Sequence, residues 1–387
     1  MIRLCVVTGS RAEYGLLIPL IRSIMEDPDF KLQLLVTGTH LDTRFGLDYQ
    51  EIKQDGIVID EMVEMNLASD SSYGVCKSMG LELIGISGAY ERLKPDMILL
   101  LGDRYEIFTA ASAAVICKIP IAHIHGGELT QGAYDDCMRH GITKMGYLHF
   151  TSTEEYRKRV IQLGESPDRV FYVGALGIER LKGLTLLSKE ELEKSFHIAL
   201  PSPLSLVTYH PATLDSLSVE NQFQPLLDAL DSFPGLFTVF TGSNSDTGGN
   251  QINQMAISYT RQHPERAVYI SSLGSLRYLS LMRVCRLVIG NSSSGILETP
   301  AFKVPTVDIG LRQKGRIKPD SVISCGTSAD SIRNAISQAM DLDLKHLTFE
   351  NLYDCPGTSK KILMSIKEAF RTGIHLEKEF YDIDWRL

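Results

Sequence analysis

The chain has 387 residues, which exceeds the usual size of one hydrophobic core, so we expect two domains. Its 44% hydrophobic and 22% charged residues are ordinary for a globular protein and argue against disorder. A formal net charge of −8 disfavours a nucleic-acid-binding protein, although a small anionic ligand needs only a local cluster of donors.

Seven scattered cysteines without a CxxC pair indicate reduced thiols in a cytosolic protein, not a disulfide framework or a zinc knuckle. The opening residues MIRLCVVTGS lack the long apolar core and the cleavage site of a signal peptide. No apolar run approaches the ~20 residues that span a bilayer. We therefore expect a cytoplasmic protein with neither a membrane nor a nucleic acid as partner.

Short apolar runs alternate with helix-like stretches through the first half of the chain. RLCVVTG precedes a stretch in which apolar residues recur at helical spacing, namely Leu16, Leu17, Leu20, Ile21 and Ile24. The runs KLQLLVTG, DMILLLGD, IPIAHIHGG and YLHFTS follow. Continuous apolar strands that alternate with helices predict an α/β fold whose parallel sheet is buried on both faces.

The same pattern restarts in the second half with LSLVTYHP, LFTVFTGSNSD, AVYI, CRLVIGNSSSG and VPTVDIG. Between the halves, LTLLSKEELEKSFHIALPSPLS is typical of a small connecting helix and a linker. We therefore predict two doubly wound, Rossmann-like domains, residues 1–175 and 176–362, that face each other across a cleft. In such sheets the ligand lies at the carboxyl ends of the strands.

The stretch GNSSSGILE, residues 290–298, follows one predicted strand. Its small residues allow close approach of a ligand, and a helix that begins near Ser294 would present amides and hydroxyls to a phosphate. Glu298 lies about one turn further, where its carboxylate can reach ribose hydroxyls. The alternative is an ordinary serine-capped turn.

Two stretches of the first half place an arginine after a strand. In GSRAEYG, Arg11 suits a diphosphate because its guanidinium donates two parallel hydrogen bonds, and the alternative is a surface arginine. In GDRYE, Asp103 ends the very apolar strand MILLL. A carboxylate there needs either an ion pair, for which Arg104 is the nearest candidate, or a role as a general acid or base.

The segment HIHGGELTQGAYDDCMRH, residues 123–140, carries three of the ten histidines and several acids. We expect no metal there, since neither HExxH nor a cysteine pair is present. Arg139 and His140 have a simpler alternative, which is pairing with the acids that precede them. In the second half, His210 ends a strand, and the absence of GxSxG argues against acyl transfer as the reaction class.

These patterns favour a nucleotide-linked substrate, with acid and base groups in one domain and a phosphate-binding loop in the other. Several proton-transfer groups without a nucleophile motif indicate proton-transfer chemistry on a sugar. A glycosyltransferase of the same architecture and a non-catalytic nucleotide-sugar sensor are the competing classes.

The motifs VTGSRAEYG, LGDRYEIF, HIHGGE…YD…RHGITKM, TSTEEYRKRVIQLGE, GSNSDTG and GNSSSG…GLRQKGR resemble the hydrolysing UDP-N-acetylglucosamine 2-epimerases, in their bacterial sialic-acid-pathway form. This resemblance implies the GT-B fold, with a C-terminal helix over about 363–387 that packs back on the first domain. It implies conversion of UDP-N-acetylglucosamine and water to N-acetylmannosamine and UDP, through elimination to a 2-acetamidoglucal and hydration, as the first step of sialic acid biosynthesis. It also implies a homodimer or homotetramer, and no cofactor.

The resemblance assigns roles to individual residues. Asp103 and Asp135 match catalytic acids, and His210 matches a histidine beside the diphosphate and C1. The positions that match contacts to UDP are Arg11, Arg104, Asn244, Ser292, Ser293, Glu298 and Arg312.

One position departs from part of the family. Animal bifunctional members have glutamate in the pattern H-I-E-G-G-E where this chain has His125, and here the loop before Asp135 is one residue longer. Either His125 takes over that role or Glu128 does, and we favour Glu128 with His125 as its partner. A nucleotide-linked 2,4-diacetamido-trideoxy sugar, as in legionaminic acid routes, is the alternative substrate.

Overall fold

The computed structural model describes residues 1–43, 47–65, 71–244, 246–342 and 351–384. The chain forms two compact units. The first unit contains Met1–Glu128, Asp135–Arg180 and Tyr353–Leu387, and the second contains Leu129–Tyr134 and Leu181–Leu352. The sequence predicts domain limits at residues 175 and 362, and these stay predictions. The compact units divide near them, at residues 180 and 352.

The first unit is built on a seven-stranded sheet whose pairings are all parallel. Its strands are β1 (Ile2–Thr8), β2 (Phe30–Val36), β3 (Glu61–Met62), β4 (Met97–Leu101), β5 (Ile121–Ile124), β6 (Leu148–Thr151) and β7 (Val170–Tyr172). Every residue of β4 is buried, as its uninterrupted apolar sequence MILLL requires. The order is β3-β2-β1-β4-β5-β6-β7.

Helices connect these strands. They are α1 (Arg11–Glu26), α2 (Tyr49–Gln54), α3 (Ser72–Leu93), α4 (Tyr105–Ile116), α5 (Asp135–Met145), α6 (Glu154–Gln162) and α7 (Leu176–Gly183). Short 3₁₀ turns lie at Gly38–Leu41 and Pro167–Arg169. The side chain of Ser10 accepts the amide of Glu13 and so starts α1 directly after the β1 loop.

The second unit repeats the plan with strands β8 (Leu204–Thr208), β9 (Phe237–Thr241), β10 (Ala267–Ile270), β11 (Leu287–Gly290), β12 (Thr306–Ile309) and β13 (Val322–Cys325). All its pairings are parallel, in the order β10-β9-β8-β11-β12-β13. Its helices are α8 (Lys189–Phe196), α9 (Val219–Leu230), α10 (Gly249–Gln262), α11 (Gly274–Val284), α12 (Ser294–Leu297), α13 (Thr299–Phe302) and α14 (Ala329–Asp341). The predicted connecting helix is α8, which begins with a capping box at Ser188.

The strand order reverses once in each sheet, between β1 and β4 in the first unit and between β8 and β11 in the second. Connections leave such a pair toward opposite sides, which opens a crevice at the carboxyl ends of the two strands. Most of the predicted functional residues follow these four strands. The α/β class with two doubly wound parallel sheets, expected from the sequence, is confirmed.

The last helix, α15 (Thr358–Thr372), belongs to the first unit. Its residues Ile362, Leu363 and Ile366 join the core that α1 also lines. The helix expected over about 363–387 thus begins earlier and ends at Thr372, because Gly373 follows with a positive φ. Residues 373–384 form no helix or strand, and residues 385–387 lie outside the described residues.

Ion pairs hold the segment after α15. The ammonium of Lys378 lies 2.8 Å from a carboxylate oxygen of Glu165, which also accepts from buried His149 at 3.0 Å. Across the described ranges, no helix combines the length and the apolar character needed to cross a membrane.

Candidate functional site

The carboxylate of Asp103 contacts the guanidinium of Arg139, which comes from α5. We expected Arg104 as the nearest ion partner, but the Nε of Arg104 donates to Glu106 at 2.6 Å. Arg139 is only 2% exposed, so its ion pair with Asp103 is shielded from water on one side. The partner of Asp103 is therefore a buried arginine 36 residues away in sequence.

Arg139 also fixes the loop that follows β5, since its Nη1 donates to the carbonyl oxygen of Glu128 at 2.9 Å. Asp135 is four residues before Arg139 on α5, so both lie on one face of this helix. Asp135 is 4% exposed. Arg139 thus links Asp103 to the loop that carries Glu128 and to the helix that carries Asp135.

The loop after β5 is sharply bent. His125 has a φ of +66°, and its amide donates to the carbonyl of Phe150 at 2.8 Å. Gly127 has a φ of +79°, and a Cβ there would lie 2.4 Å from the carbonyl oxygen of Tyr156. A glycine is therefore required at 127 both by conformation and by space. The bend buries the Glu128 side chain, which is 2% exposed.

Glu128 is held by a hydroxyl, because Ser152 Oγ donates to its Oε1 at 2.6 Å. The Nδ1 of His125 lies 3.7 Å from the same oxygen, which is beyond a hydrogen bond but close enough for an ion pair if the ring is protonated. The assignment of Glu128 as the acting acid, with His125 as its partner, stays a prediction. The geometry adds Ser152 as a group that orients Glu128.

The other histidines of this segment are held inside the fold. His123 is fully buried, and its Nε2 donates to the carbonyl of Gly102 at 2.8 Å, directly before Asp103. Burial lowers the pKa of His123 to about 3, so the ring is neutral near pH 7. His140 Nε2 lies 3.7 Å from Asp136, and burial lowers its pKa too. His123 is therefore a support for the loop that carries Asp103.

Within the parts of the chain that the structure describes, no group of three or more His, Cys, Asp or Glu side chains is arranged to hold a metal ion.

The predicted phosphate-binding Arg11 lies at the start of α1. Its guanidinium contacts Glu51 and lies 3.8 Å from Asp48, the residue before α2. The structure therefore shows Arg11 in ion pairs with two acids of its own unit. Its role in binding UDP stays a prediction.

Buried carboxylates lie directly behind the β1 and β4 loops. Glu106 is fully buried, and a Cβ at Gly9 would lie 2.3 Å from its Cγ. Glu13, 7% exposed, accepts the amide of Gly9 at 2.8 Å. Burial, and then the charge of Glu106, raise the pKa of Glu13 to about 8. Glu82 is also buried, accepts from Thr37 at 2.9 Å, and has a raised pKa through burial.

Glu13 should make the stability of the protein depend on pH. The pKa of Glu13 in the folded state is raised from 4.5 to about 8. The contribution of its protonated carboxyl group to the free energy of unfolding is therefore complete below pH 4.5 and is lost as pH rises to about 8. Glu13→Gln keeps an acceptor for the Gly9 amide but cannot ionise. We expect the free energy of unfolding of Glu13→Gln, relative to that of the unsubstituted protein, to rise by at least about 1 kcal/mol between pH 5 and pH 8.

Chemical unfolding at several pH values measures this difference. The control is Glu26→Gln, the same substitution at an exposed position of the same helix, against which the pH dependence of Glu13→Gln is compared. A constant difference for Glu13→Gln would show that Glu13 is ionised in the folded protein across the whole range.

In the second unit, His210 follows β8 and is tied to the β11 loop. Its amide donates to Asn291 Oδ1 at 2.8 Å, and Asn291 Nδ2 donates back to its carbonyl at 2.8 Å. The amide of Asn244 donates to His210 Nδ1 at 3.1 Å. Since Nδ1 accepts, a neutral His210 carries its proton on Nε2. The ring is thus oriented to donate through Nε2.

Arg312 and Asn244 meet at one buried carboxylate. Asn244 Nδ2 donates to Asp246 Oδ2 at 2.5 Å, and Arg312 Nη2 lies 3.9 Å from the same oxygen. Arg312 Nη1 also donates to the carbonyl of Asn291 at 3.2 Å. These contacts join the loops after β9, β11 and β12 around His210. Ser245, inside the GSNSDTG motif, lies outside the described residues.

The loop after β11 departs from our expectation in one respect. The helix that begins at Ser294 has only four residues, so it provides little of the dipole that we invoked for binding phosphate. The loop still offers serine hydroxyls to a phosphate. Ser294 Oγ donates to Ser292 Oγ at 3.1 Å, and Ser293 lies between them in the sequence. Glu298 ends this helix and is 7% exposed.

Gly290 allows β11 to approach β8 at this loop. Its φ is +143°, and a Cβ there would lie 1.9 Å from the carbonyl oxygen of Thr208. The glycine of the GNSS motif is therefore needed for the sheet itself.

Several supporting residues were not predicted from the sequence. They are Asn291, Asp246, Ser152, Glu13 and Glu106. All five lie in motifs that we quoted, and Asn291 also directly follows a predicted strand. Ser152, Glu13 and Glu106 look like ordinary residues at the starts of helices, and only the folded structure shows that they are buried against the site.

Comparison with known proteins extends these observations. The family model described as UDP-N-acetylglucosamine 2-epimerase matches residues 22–367. The GDP/UDP-N,N'-diacetylbacillosamine 2-epimerase (hydrolyzing) of Campylobacter jejuni is 42% identical over 339 residues, which are 88% of this chain and 86% of that protein. The polysialic acid biosynthesis protein P7 of Escherichia coli is 39% identical over 388 residues, covering 99% and 98%.

Among solved structures, UDP-GlcNAc 2-epimerase from Neisseria meningitidis bound to UDP-GlcNAc has a TM-score of 0.76, with 20% identity, and the match covers 95% of this chain and 100% of that one. This similarity confirms the GT-B fold that the resemblance implied. Since a family model spans most of the chain and relatives above 30% identity span nearly all of it, the chain belongs to the hydrolysing UDP-N-acetylglucosamine 2-epimerase family.

Proposed function

We propose that the protein hydrolyses UDP-N-acetylglucosamine with inversion at C2, giving N-acetylmannosamine and UDP as the first step of sialic acid biosynthesis. The observation that carries this proposal is the group formed by half-buried Asp103 and the buried residues Arg139, Glu128 and Asp135 at the carboxyl end of the first sheet. It supplies several carboxyl groups for proton transfer without a nucleophile.

The first step is an anti elimination. A carboxylate of this group removes the proton from C2, the electrons of the C2–H bond form the C1=C2 double bond, and the bond from C1 to the diphosphate oxygen breaks. The products of the step are a 2-acetamidoglucal and UDP, with the proton on the enzyme. Arg139 fixes the orientation of Asp103, and Ser152 fixes that of Glu128, so the acids are positioned before the substrate binds.

The second step adds water across the double bond. A carboxylate takes one proton from the water molecule while the water oxygen bonds to C1. A carboxylic acid delivers a proton to C2 from the face opposite to the one from which the C2 proton was removed. Two groups that exchange protons with the substrate are therefore needed, and we assign them among Asp103, Glu128 and Asp135, with His125 beside Glu128. The route needs no hydride cofactor, because the intermediate forms by elimination.

The second unit supplies most of the groups assigned to the nucleotide, and Arg11 and Arg104 come from the first unit. His210, held with Nε2 as its donor, is suited to the oxygen that leaves C1. Glu298 is assigned to the ribose hydroxyls. The remaining residues assigned to the diphosphate and the uridine are Ser292, Ser293, Asn244, Arg312, Arg11 and Arg104.

A second candidate substrate is a GDP- or UDP-linked 2,4-diacetamido-trideoxy sugar. The observation in its favour is the 42% identity to the Campylobacter jejuni enzyme named for diacetylbacillosamine. The 39% identity to polysialic acid protein P7 over nearly the full length supports the first candidate. We also propose, on the resemblance, that the protein assembles as a homodimer or homotetramer and, on its scattered cysteines, that it lies in the cytoplasm.

The experiment is a turnover assay in deuterated water, with UDP-N-acetylglucosamine and the two diacetamido nucleotide sugars in parallel. We expect N-acetylmannosamine with deuterium at C2, released together with UDP and without any added acceptor. A product without deuterium at C2 would contradict the elimination. A requirement for a sugar acceptor would identify a glycosyltransferase, and binding without turnover would identify a sensor. Preferential turnover of a diacetamido sugar would select the second candidate.

A further inference from the structure

A cavity of 630 Å³ lies in the second unit, beside the carboxyl ends of β12 and β13 and the first turns of α14. Its size is within the range of small-molecule sites. Three cationic side chains line it, Lys314, Arg316 and Lys318, and its lining contains no Asp or Glu. In a chain of net charge −8, this local excess of positive charge indicates an anionic ligand.

One of these cations, Lys318, is held by an ion pair with a buried acid. Lys318 Nζ donates to Asp308 at 2.7 Å and to Ser324 Oγ at 2.8 Å. Asp308 is 1% exposed and lies behind the wall, so it holds Lys318 in place without presenting its own charge to the cavity. Lys314 is exposed at the cavity edge and adds an ammonium. A multivalent anion would therefore meet cations on the side of the cavity formed by residues 314–318.

Helix α14 also lines the cavity, and its thirteen residues give its N-terminus a partial positive charge. Ser331, in the first turn, lines the cavity and accepts the amide of Gly326 at 3.0 Å. Asn334 and Gln338 are four residues apart on one face of α14, and both line the cavity. Their amides add neutral donors and acceptors to the lining.

Part of the lining is apolar. Ile323 and Ala335 line the cavity together with Cys325. Cations, amides and apolar side chains in one lining suit an organic anion better than a simple inorganic ion. The residues assigned to UDP in the proposed function do not line this cavity.

We propose that this cavity is a second ligand site, which binds a multivalent organic anion the size of a sugar phosphate or a nucleotide. It is distinct from the residues assigned to UDP, and it does not depend on the proposed reaction. Charge on the ligand is recognised by Lys314, Arg316 and Lys318, and its polar organic part is recognised by Asn334 and Gln338.

Calorimetric titration with fructose 1,6-bisphosphate tests the site directly at low ionic strength. The double variant Asn334→Asp/Gln338→Glu adds two carboxylates to the cavity wall with almost no change in shape, at exposed positions that tolerate substitution. We expect it to weaken binding at least tenfold, and Lys314→Glu to do the same. The matched control is Asn221→Asp/Gln262→Glu, which adds the same charge on exposed helix positions of this unit outside the cavity and should leave binding unchanged.

The outcomes are distinguishable from those of the proposed function, because the titration measures binding and not turnover. Failure of the bisphosphate to bind, or equal affinity in all variants, would overturn the second site. The turnover of each variant with its nucleotide-sugar substrate is measured beside the titration. A loss of turnover that parallels the loss of binding would overturn the proposal as well, because the cavity would then be part of the substrate site.

Discussion

Asp103→Asn and Asp135→Asn should each lower kcat for hydrolytic epimerisation by about 10²–10⁴-fold, the usual effect of removing a positioned acid or base. An amide keeps the size of the carboxyl group but can neither take the proton from C2 nor return one. In Asp103→Asn, the buried guanidinium of Arg139 also loses the nearer of its two carboxylate partners, since Asp136 lies 3.8 Å away, and this loss adds a cost in stability. The larger fall in the free energy of unfolding is therefore expected for Asp103→Asn.

The matched control is Asp136→Asn, next to Asp135 in the first turn of α5. Asp136 lies 3.7 Å from His140 and has no assigned part in the reaction, so its variant should lose less than about tenfold in kcat. The affinity for UDP, measured by calorimetry, should be unchanged in all three variants, which separates a chemical defect from a folding defect. Full activity in both Asp103→Asn and Asp135→Asn would contradict the assignment of the acids.

The sequence was sufficient to predict those features of the fold that follow from local patterns. β4 has five consecutive apolar residues, and only a strand covered on both faces buries such a run. His210 and Asp103 lie directly after strands, so the rule that ligands bind at the carboxyl ends of parallel strands was enough to select them. The same rule also applies to Asn291, which directly follows β11 and was not among the residues that we predicted.

The partners of these residues were beyond local patterns. Arg139 reaches Asp103 from a helix 36 residues later, whereas Arg104 is adjacent in sequence and still pairs with Glu106. Which arginine faces which acid depends on how α5 packs against the β4 loop, and tertiary packing of this kind leaves no periodic signal. The sequence predicted where α12 begins but not how short it is, and Pro300 lacks the amide that would continue its hydrogen bonds.

Glu298→Ala should weaken the binding of UDP by about 10–100-fold and change kcat little at saturating substrate, because hydrogen bonds to a charged group contribute about 1.5–3 kcal/mol. Glu298 is 7% exposed at the end of α12, so its carboxylate is held by the fold before the nucleotide binds. The measurement is calorimetric titration with UDP. Glu298→Gln keeps an acceptor without the charge, so its affinity for UDP should lie between that of the unsubstituted protein and that of Glu298→Ala.

A second ligand shows whether the ribose is the group that Glu298 recognises. The 2′,3′-dideoxy analogue of UDP lacks both hydroxyls, so it should bind the unsubstituted protein and Glu298→Ala with nearly equal affinity. The difference between the two ligands is then the coupling between the carboxylate and the ribose hydroxyls, free of any general effect of the substitution. If Glu298→Ala weakened both ligands equally, Glu298 would support the β11 loop and another group would have to bind the ribose.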